Sequence, residues 1–541
     1  MDTPFAITLE PNTGLVNKTG SWRTQLPQYQ SLMPPCNHAC PAGENIQQWL
    51  YHAEEGRYEE AWRTIVENNP FPAIHGRVCY HPCETACNRG QLDNAVSVHA
   101  VERFLGDLAI KNGWTVPTAP PTGKDVMIVG SGPCGLSAAY HLARMGHTVT
   151  VYEAGQKLGG MMRYGIPSYR LPRNILDAEI ARLEKMGVLF KTSMKIDDVV
   201  SALQEKRFHA AFLAIGAGAG KNVDIPARDV KKFLDAISFL KQAADGSVDF
   251  NIGRRVAIYG GGNTAMDAAR VARRLGAEET VIIYRRDREH APAHQDEIQE
   301  ALDEGIVVHW LRTIKSVEAD DIQVEVMKLN DKGQPVPTGQ FESLKADTVI
   351  LAVGQDPESA WLKSVPGLTV LRDGSIEIDD RMMTGFPRLF AGGDMVPANR
   401  TVTTAVGHGK KAARHIDAYL RNTTYEKPPS PPIATFDKLN TWYYTDAPKS
   451  IQPTLDRLRR LSNFDETVGG LDESTALYEA RRCLSCGNCL ACDNCYGMCP
   501  DNAIVKVATG KFTVNTDYCK GCGLCAHECP CGTLQMVPEV K

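Results

Sequence analysis

The spacing of apolar and polar positions divides the chain into four blocks. From residue 124 to about 425, short β-branched runs alternate with helix-period stretches; the clearest runs are Val126–Val129, Thr148–Tyr152, Val256–Tyr259, Thr280–Tyr284 and the strand within Asp347–Gly354. This alternation predicts α/β layers. Ahead of it, two helical patterns stand out. One is Asn45–Glu55, closed by Gly56, and the other is Tyr58–Glu67, closed by Asn68-Asn69-Pro70. Pro117–Gly123 and Pro428–Pro432 read as linkers. A polar helical stretch and a short cysteine-dense tail follow the second linker. Two features repeat: a glycine-rich strand-to-helix turn at Gly130 and Gly260, and a four-cysteine run at Cys489 and Cys519.

Composition narrows the class. The 541 residues suggest about three or four domains. A 43% apolar content suits full cores, and a net charge of −5 gives no footprint for nucleic acid. No run of 18 apolar residues predicts a membrane span, and Met1-Asp2-Thr3-Pro4 opens no secretory signal, so the expected location is the cytoplasm. Of 17 cysteines, eleven lie between Cys483 and Cys531, five between Cys36 and Cys87, and Cys134 alone falls between. Clustering of this kind in a reducing compartment points to metal rather than disulfides.

The tail carries Cys489-x2-Cys492-x2-Cys495-x3-Cys499-Pro500 and then Cys519-x2-Cys522-x2-Cys525-x3-Cys529-Pro530. This is the two-cluster ferredoxin spacing, in which the fourth cysteine of each run ligates the other cluster. One [4Fe–4S] cluster is therefore expected on Cys489, Cys492, Cys495 and Cys529, and another on Cys519, Cys522, Cys525 and Cys499. Cys531 reads as a bystander.

The middle block carries two dinucleotide motifs. In the first, the Val126–Val129 run leads into Gly130-Ser131-Gly132-Pro133-Cys134-Gly135, an Ala-rich helix, and a strand ending at Glu153. Glycines at these positions allow a tight turn and close approach of a pyrophosphate to a helix N-terminus, and the acid meets a ribose. The second copy runs from Val256 through Gly260-Gly261-Gly262-Asn263-Thr264-Ala265, and its next strand ends in Arg285-Arg286. Arginines there suit a 2′-phosphate and favour NADPH over NADH. Further on, Gly392-Gly393-Asp394 after a strand suits the ribityl or phosphate end of a flavin.

This order of motifs, together with Gly159-Gly160-Met161-Met162-Arg163-Tyr164-Gly165-Ile166-Pro167, resembles the small subunit of glutamate synthase and its relatives. Those relatives include the N-terminal part of dihydropyrimidine dehydrogenase and the flavin subunits of ferredoxin-linked NAD(P)H oxidoreductases. The resemblance covers residues 34 to 425 plus a ferredoxin-like appendage. It implies FAD on Gly130, Gly132, Gly135, Glu153, Gly160, Arg163, Gly393, Asp394 and Thr404. It implies NAD(P)H on Gly260, Gly262, Asn263, Ala265, Arg285 and Arg286. Hydride transfer between them needs orientation rather than an acid or base, so no catalytic residue is named. Cys134 has no cysteine beside it, so electrons would leave the flavin through clusters and not through a disulfide.

Cys36-x3-Cys40 and Cys79-x3-Cys83-x3-Cys87 are similar to the family's cluster domain. The resemblance implies one cluster on Cys40, Cys79 and Cys83, completed by Glu102. A second would use Cys36, Cys87 and an upstream Cys-x2-Cys pair, which this chain lacks. Cys483 and Cys486 stand outside the ferredoxin runs, in the context Glu479–Cys486 that resembles the missing segment. They are expected to fold back and complete that cluster, for four clusters in place of three.

The expected fold class is α/β: two Rossmann-like domains of glutathione-reductase type, a helical iron–sulfur domain before them and an α+β ferredoxin-like domain after. The expected boundaries are 1–116 for the cluster domain, 124–250 with 345–425 for FAD, 251–344 for NAD(P), 426–482 for a linker and 483–541 for the ferredoxin domain. The expected function is an electron-transfer subunit joining NAD(P)H, FAD and clusters to other subunits of a redox complex, such as a 2-oxoacid dehydrogenase of the phenylglyoxylate type. Alternatives are a glutamate synthase small subunit, a stand-alone NAD(P)H:ferredoxin oxidoreductase and a non-catalytic relay. The chain is expected to be part of a hetero-oligomer.

Overall fold

Each glycine motif turns a buried strand into a helix, and two parallel sheets result. The computed structural model describes residues 18–539 except 206, 222, 229–231, 246–251 and 509. Strand β1 (Gln25–Tyr29) precedes the helices α1 (Ile46–Glu54), α2 (Tyr58–Val66), α3 (Pro72–Val78) and α4 (Val98–Asn112). The apolar positions of α1, Ile46, Trp49, Leu50 and Ala53, recur at helical spacing and bury against Ala61, Ile65, Val101 and Leu105. Removing the fully buried Trp49 side chain from such a core costs about 3–5 kcal/mol. Helix α4 ends where Gly113 turns left-handed.

The flavin-type sheet contains β2 (Asp125–Val129), followed by α5 (Pro133–Arg144), β3 (Thr148–Tyr152) and β4 (Ala210–Leu213). The nucleotide-type sheet contains β5 (Lys232–Asp235), β6 (Arg255–Tyr259) with α6 (Asn263–Arg274) after it, β7 (Glu279–Tyr284) and β8 (Thr348–Leu351). The chain then returns to the first sheet with β9 (Leu389–Ala391) and α7 (Val402–Leu420). The first sheet has the order β9-β4-β2-β3 followed by Leu189–Lys191, and the second has Val307–Trp310 and then β7-β6-β8-β5. All pairings in both sheets are parallel, with Val126 opposite Val149 and Val256 opposite Thr348. Their strands are apolar on both faces because both are covered, in the second sheet by α6 on one face and by the antiparallel strands Arg312–Glu318 and Asp321–Leu329 on the other.

The boundaries expected at 250/251 and 344/345 are displaced. Strands β5 and β8 belong to the nucleotide sheet, on the far side of β6 from β7. The run Thr348–Leu351 is wholly buried, and such a run fits the middle of either sheet. Strand β5 is short and leaves Phe233 36% exposed, so no alternation betrays it.

The segment after Pro432 does not act as a free linker. It runs along the cluster domain, where Arg89 and Arg482 tie it down. Arg89 Nη1 donates to the Arg482 carbonyl at 3.0 Å and Nη2 to that of Thr445 at 3.0 Å. Arg482 donates to the carbonyls of Ala447 (3.0 Å), Ala95 (3.2 Å) and Asn94 (2.6 Å), and pairs with Glu479 at 2.9 Å and Asp93 at 3.2 Å. Helix α8 (Glu473–Arg481), capped by the Asp472 side chain, then sets Ala480 into the core of α1.

The tail carries a hairpin, Ile504–Ala508 with Lys511–Val514, and a last strand, β10 (Leu534–Pro538). Strand β10 pairs antiparallel with β1, Leu26 opposite Val537 and Tyr29 opposite Leu534. Arg23 locks the joint: Nε and Nη2 reach the Glu539 carboxylate at 2.9 and 2.6 Å, and Nη1 reaches the carbonyls of Thr516 and Cys519 at 2.7 and 2.9 Å.

Candidate functional site

A cavity of about 550 Å3 lies between the two sheets. Gly130, Ser131, Gly132, Pro133, Cys134, Glu153, Gly160, Gly393 and Asp394 line it from the flavin side, and Gly262, Asn263 and Thr264 from the nucleotide side. Val78 and Tyr80, from the loop that bears Cys79, line the same space.

The loop geometry explains the glycines. Gly130 has φ +104°, and a Cβ there would sit 2.4 Å from the Ala214 carbonyl oxygen. At Gly132 a Cβ would meet only open space, the opening a pyrophosphate needs. Gly135 and Gly260 serve packing instead: Cβ atoms would strike the carbonyl oxygens of Gly130 at 2.0 Å and Ala352 at 2.2 Å. Glu153 accepts from Ser131 N at 3.0 Å, Ser131 Oγ at 2.6 Å and Gly155 N at 2.7 Å, which holds its carboxylate at the mouth of the turn. Burial pushes the Asp394 carboxyl up to about 6, against the pull of Arg400.

Other expected contacts stand elsewhere. The Arg163 guanidinium turns to Asp177 and to the Leu158 carbonyl, away from the cavity lining. Thr404 lies in the first turn of α7, where its N–H donates to the Thr401 side chain at 3.1 Å; Thr401, Val402 and Ala405 face the cavity. Ala265 is buried in the α6 core. Arg285 and Arg286 stand just beyond β7, with Arg286 Nη2 donating to Gln334 at 3.2 Å.

The cysteines gather into four sets. Cys36, Cys87, Cys483 and Cys486 line one small cavity, with Leu50, Asn88 and Val98. Burial pushes the Cys36 thiol well up, and Cys483, Cys87 and Cys486 push it further. Asn88 Nδ2 donates to Cys486 Sγ at 3.5 Å and to the Ala434 carbonyl at 2.8 Å. Cys499, Cys519, Cys522 and Cys525 line a second cavity, where burial and then the other three thiols push Cys525 up to about 12. In a third set burial raises Cys495, with Cys529, Cys489 and Cys492 adding to it, while Tyr29 Oη lies 3.2 Å from Cys495 Sγ. Cys531 is buried, its Sγ 3.8 Å from Cys529 Sγ.

The remaining set holds Cys40, Cys79 and Cys83. Burial raises Cys83 well above the ordinary thiol range, and Cys79, Glu84 and Cys40 add to it. Two buried carboxylates adjoin it. Asn69 Nδ2 donates to Glu102 at 2.7 Å and to Glu44 at 2.9 Å, and Trp49 Nε1 donates to Glu44 at 3.1 Å. His75, 1% exposed, offers a ring nitrogen to the same place, within 4.8 Å of both carboxylates, and neither of its nitrogens has a partner. Glu44 was not singled out by sequence, since nothing in its spacing marks it, and sequence reads His75, with His81 and His99, as a surface or packing residue near the N-terminal cysteines rather than a ligand. The nearby trio His81, Glu84 and His99 is a closed network: Glu84 accepts from His99 Nδ1 (2.6 Å) and Lys449 Nζ (2.8 Å), and His99 Nε2 faces Gln452.

These sets fit iron–sulfur chemistry. Three or four thiols converge in each, and soft thiolate sulfur is the ligand that iron–sulfur clusters take. The flavin and nucleotide cavity likewise fits its groups, since its cradle is open where a Cβ would fill it.

Two dinucleotide turns facing one cavity, with cysteine sets beside it, define a flavoprotein oxidoreductase that also carries iron–sulfur modules. Residues 124–409 match the model of the pyridine nucleotide-disulphide oxidoreductase family, and the chain belongs to that family. Residues 29–114 match "Dihydroprymidine dehydrogenase domain II, 4Fe-4S cluster", and residues 512–535 match a 4Fe-4S binding domain. The chain is 35% identical over 505 residues to the NADP(+)-dependent formate dehydrogenase subunit beta of Moorella thermoacetica, covering 84% of this chain and 70% of that one. It is 32% identical over 509 residues to the NADPH-Fe(3+) oxidoreductase subunit beta of Geobacter sulfurreducens, covering 84% and 75%. It is 32% identical over 423 residues to the glutamate synthase [NADPH] small chain of Azospirillum brasilense, covering 72% and 87%. The protein is an NAD(P)H-dependent flavin and iron–sulfur oxidoreductase. No helix among the described residues is long and apolar enough to cross a membrane.

Proposed function

We propose that this chain is the NADPH-facing electron-transfer subunit of a cytoplasmic redox complex. It joins a two-electron nicotinamide site to a file of four [4Fe–4S] clusters that delivers electrons, one at a time, to or from a partner subunit. The observation that carries this reading is the shared cavity: residues of both dinucleotide turns and of the Cys79 loop line one space of about 550 Å3.

In this reading Gly130, Gly132, Glu153, Gly160 and Asp394 hold FAD, and Gly262, Asn263, Arg285 and Arg286 hold NADPH. The backbone N–H groups at the start of α5 and α6 receive the pyrophosphates. When bound, FAD supplies the exchange between hydride and single electrons that the clusters require. The walls of the cavity hold the two rings together and keep water out.

The four cysteine sets stand in order. Cys79 is nearest the cavity, in the set completed by Glu102. Cys83 of that set and Cys36 of the next bear on each other's charge. Burial raises Tyr444, and Cys531, then Cys483 and Cys486 of the second set and Cys492 of the third, add to it. Cys495 of the third set acts on Cys525 of the fourth. Cys522 of the fourth set is exposed, as are Cys489 and Cys492 of the third, so the two clusters of the tail form the exit. The partner would carry its own one-electron centre, and the relatives named as subunits of formate dehydrogenase, ferric reductase and glutamate synthase support such an assembly.

The test is anaerobic: FAD, iron and acid-labile sulfide per chain, then bleaching by NADPH and by NADH. About sixteen irons support four clusters, and about twelve support three. Bleaching of flavin and clusters by NADPH ahead of NADH supports the path. Full cofactor content with no bleaching by either nucleotide overturns it and favours a passive relay.

A further inference from the structure

Helix α7 lies between the flavin-side helix and the first cysteine set. On one side Gly409 packs on α5, where a Cβ would meet the Cys134 carbonyl oxygen at 2.3 Å and Ser137 Cβ at 2.7 Å. On another side Thr403, Gly407 and Lys410, spaced i, i+4 and i+7, form one stripe toward the cluster domain.

Each member of the stripe meets the loops that carry Cys40 and Cys79. The buried Thr403 hydroxyl donates to Cys79 Sγ at 3.2 Å. Gly407 lets the backbones touch, since a Cβ there would stand 2.2 Å from the Pro41 carbonyl oxygen. The Lys410 ammonium, 8% exposed, donates to the Ala42 carbonyl, to Asn68 Oδ1 at 3.1 Å and to the Gly43 carbonyl at 3.4 Å. A buried ammonium is costly unless paired, and its three partners here are neutral acceptors. The groups close enough to act on it are Cys40 and Glu44 of the cluster side and the cationic Arg414 and Lys427.

Resting on the reading that Cys40, Cys79 and Cys83 hold the first cluster, we propose that α7 sets that cluster's reduction potential, Thr403 through its hydrogen bond to the Cys79 sulfur and Lys410 through a buried positive charge on the Cys40 loop. Reduction adds one electron to a buried group and breaks no bond; the electron comes from the flavin, which the nicotinamide hydride has reduced. Donors to sulfur and nearby cations stabilise the added charge and raise the potential. The first turn of the same helix, Thr401, Val402 and Ala405, lines the flavin cavity. One rigid element thus touches the donor site and biases the acceptor. Thr403 and Lys410 are positioning residues, since neither faces the nucleotides.

The test is an EPR-monitored anaerobic redox titration of the full chain. Cys79→Ser first identifies the signal, as the one that disappears with about four irons. Thr403→Val keeps the side-chain shape and removes the donor; Lys410→Met removes the charge. At a fixed potential each should lower the reduced-to-oxidised ratio of that signal by about tenfold or more, which is about 59 mV for one electron. The other signals and the flavin content should hold, and Thr403→Ser and Lys410→Arg should restore the parent ratio. Ratios within about threefold of the parent in both Thr403→Val and Lys410→Met, with iron intact, would overturn the proposal and leave the cluster assignment standing. Iron lost from Lys410→Met would make Lys410 a strut and overturn its part, with Thr403→Val deciding the rest. If Cys79→Ser lost no iron, the assignment beneath the proposal would fall instead.

Discussion

In the dinucleotide half each candidate contact loop is contiguous: Gly130 to Glu153 spans one helix and the strand after it. In the cluster half, Cys36 and Cys87 meet Cys483 and Cys486, and the bond between Arg89 and the Arg482 carbonyl that holds them in place joins positions 393 apart. A contiguous site depends on the backbone of its own loop, and damage there stays local. A site assembled from distant segments depends on the contacts that hold those segments together, so it is lost with any of them. The dinucleotide half should therefore fail one cofactor at a time, and the cluster half as a unit.

The largest expected effect is on iron. Changing both Cys483 and Cys486 to Ser should remove about four irons per chain and leave FAD unchanged; iron analysis that finds no loss would break the comparison at its centre. Next comes Gly130→Val, which forces a side chain into a left-handed turn against the Ala214 carbonyl. It should cut FAD content more than about tenfold, equivalent to about 1.4 kcal/mol or more, with iron intact. Arg482→Met leaves the buried Glu479 without its cation, while Asp93 keeps Arg89 at 2.7 Å, and should destabilise the cluster half by about 3–5 kcal/mol. Denaturation followed by cluster absorbance and flavin fluorescence should show the first falling well before the second.

Asp394 gives a smaller, pH-dependent effect. Burial raises its carboxyl to about 6 when folded, against about 4 when unfolded. The stabilisation from holding that proton is fully present below about pH 4 and is lost as pH rises to about 6. In flavin-free protein, Asp394→Asn should match the parent below about pH 4 and exceed it by up to about 3 kcal/mol above about pH 6. Thermal unfolding across that window measures it. The smallest effect belongs to the exposed arginines: Arg285→Ala with Arg286→Ala should raise KM for NADPH about tenfold and leave KM for NADH unchanged.

The contiguous parts were legible in the sequence because strand, glycine turn and helix each have a local signature. Gly130, Gly132, Glu153, Gly262 and Asp394 stand where those signatures place them, around one cavity. The fold class was legible for the same reason. Arg163 was misplaced because a motif fixes a backbone, and the rotamer then followed a nearby Asp177. The sheet membership of β5 and β8 was hidden because a short strand does not name its neighbour. Glu44, Thr403 and Lys410 were invisible because their meaning lies in what α7 and the Cys40 loop bring together. The pairing of β1 with β10 was missed for the same reason: Gln25–Tyr29 is five residues with a proline, and only its partner makes it a strand.

That pairing has a consequence for biosynthesis. Residues 25–29 leave the ribosome long before residues 534–538 exist, and Cys36 and Cys87 long before Cys483 and Cys486. During most of translation the cluster domain holds an unfinished ligand set and β1 has no strand to join. Maturation of this half must therefore follow synthesis rather than accompany it, and a chain ending just ahead of Cys483 would lose iron from its first hundred residues as well as from its tail.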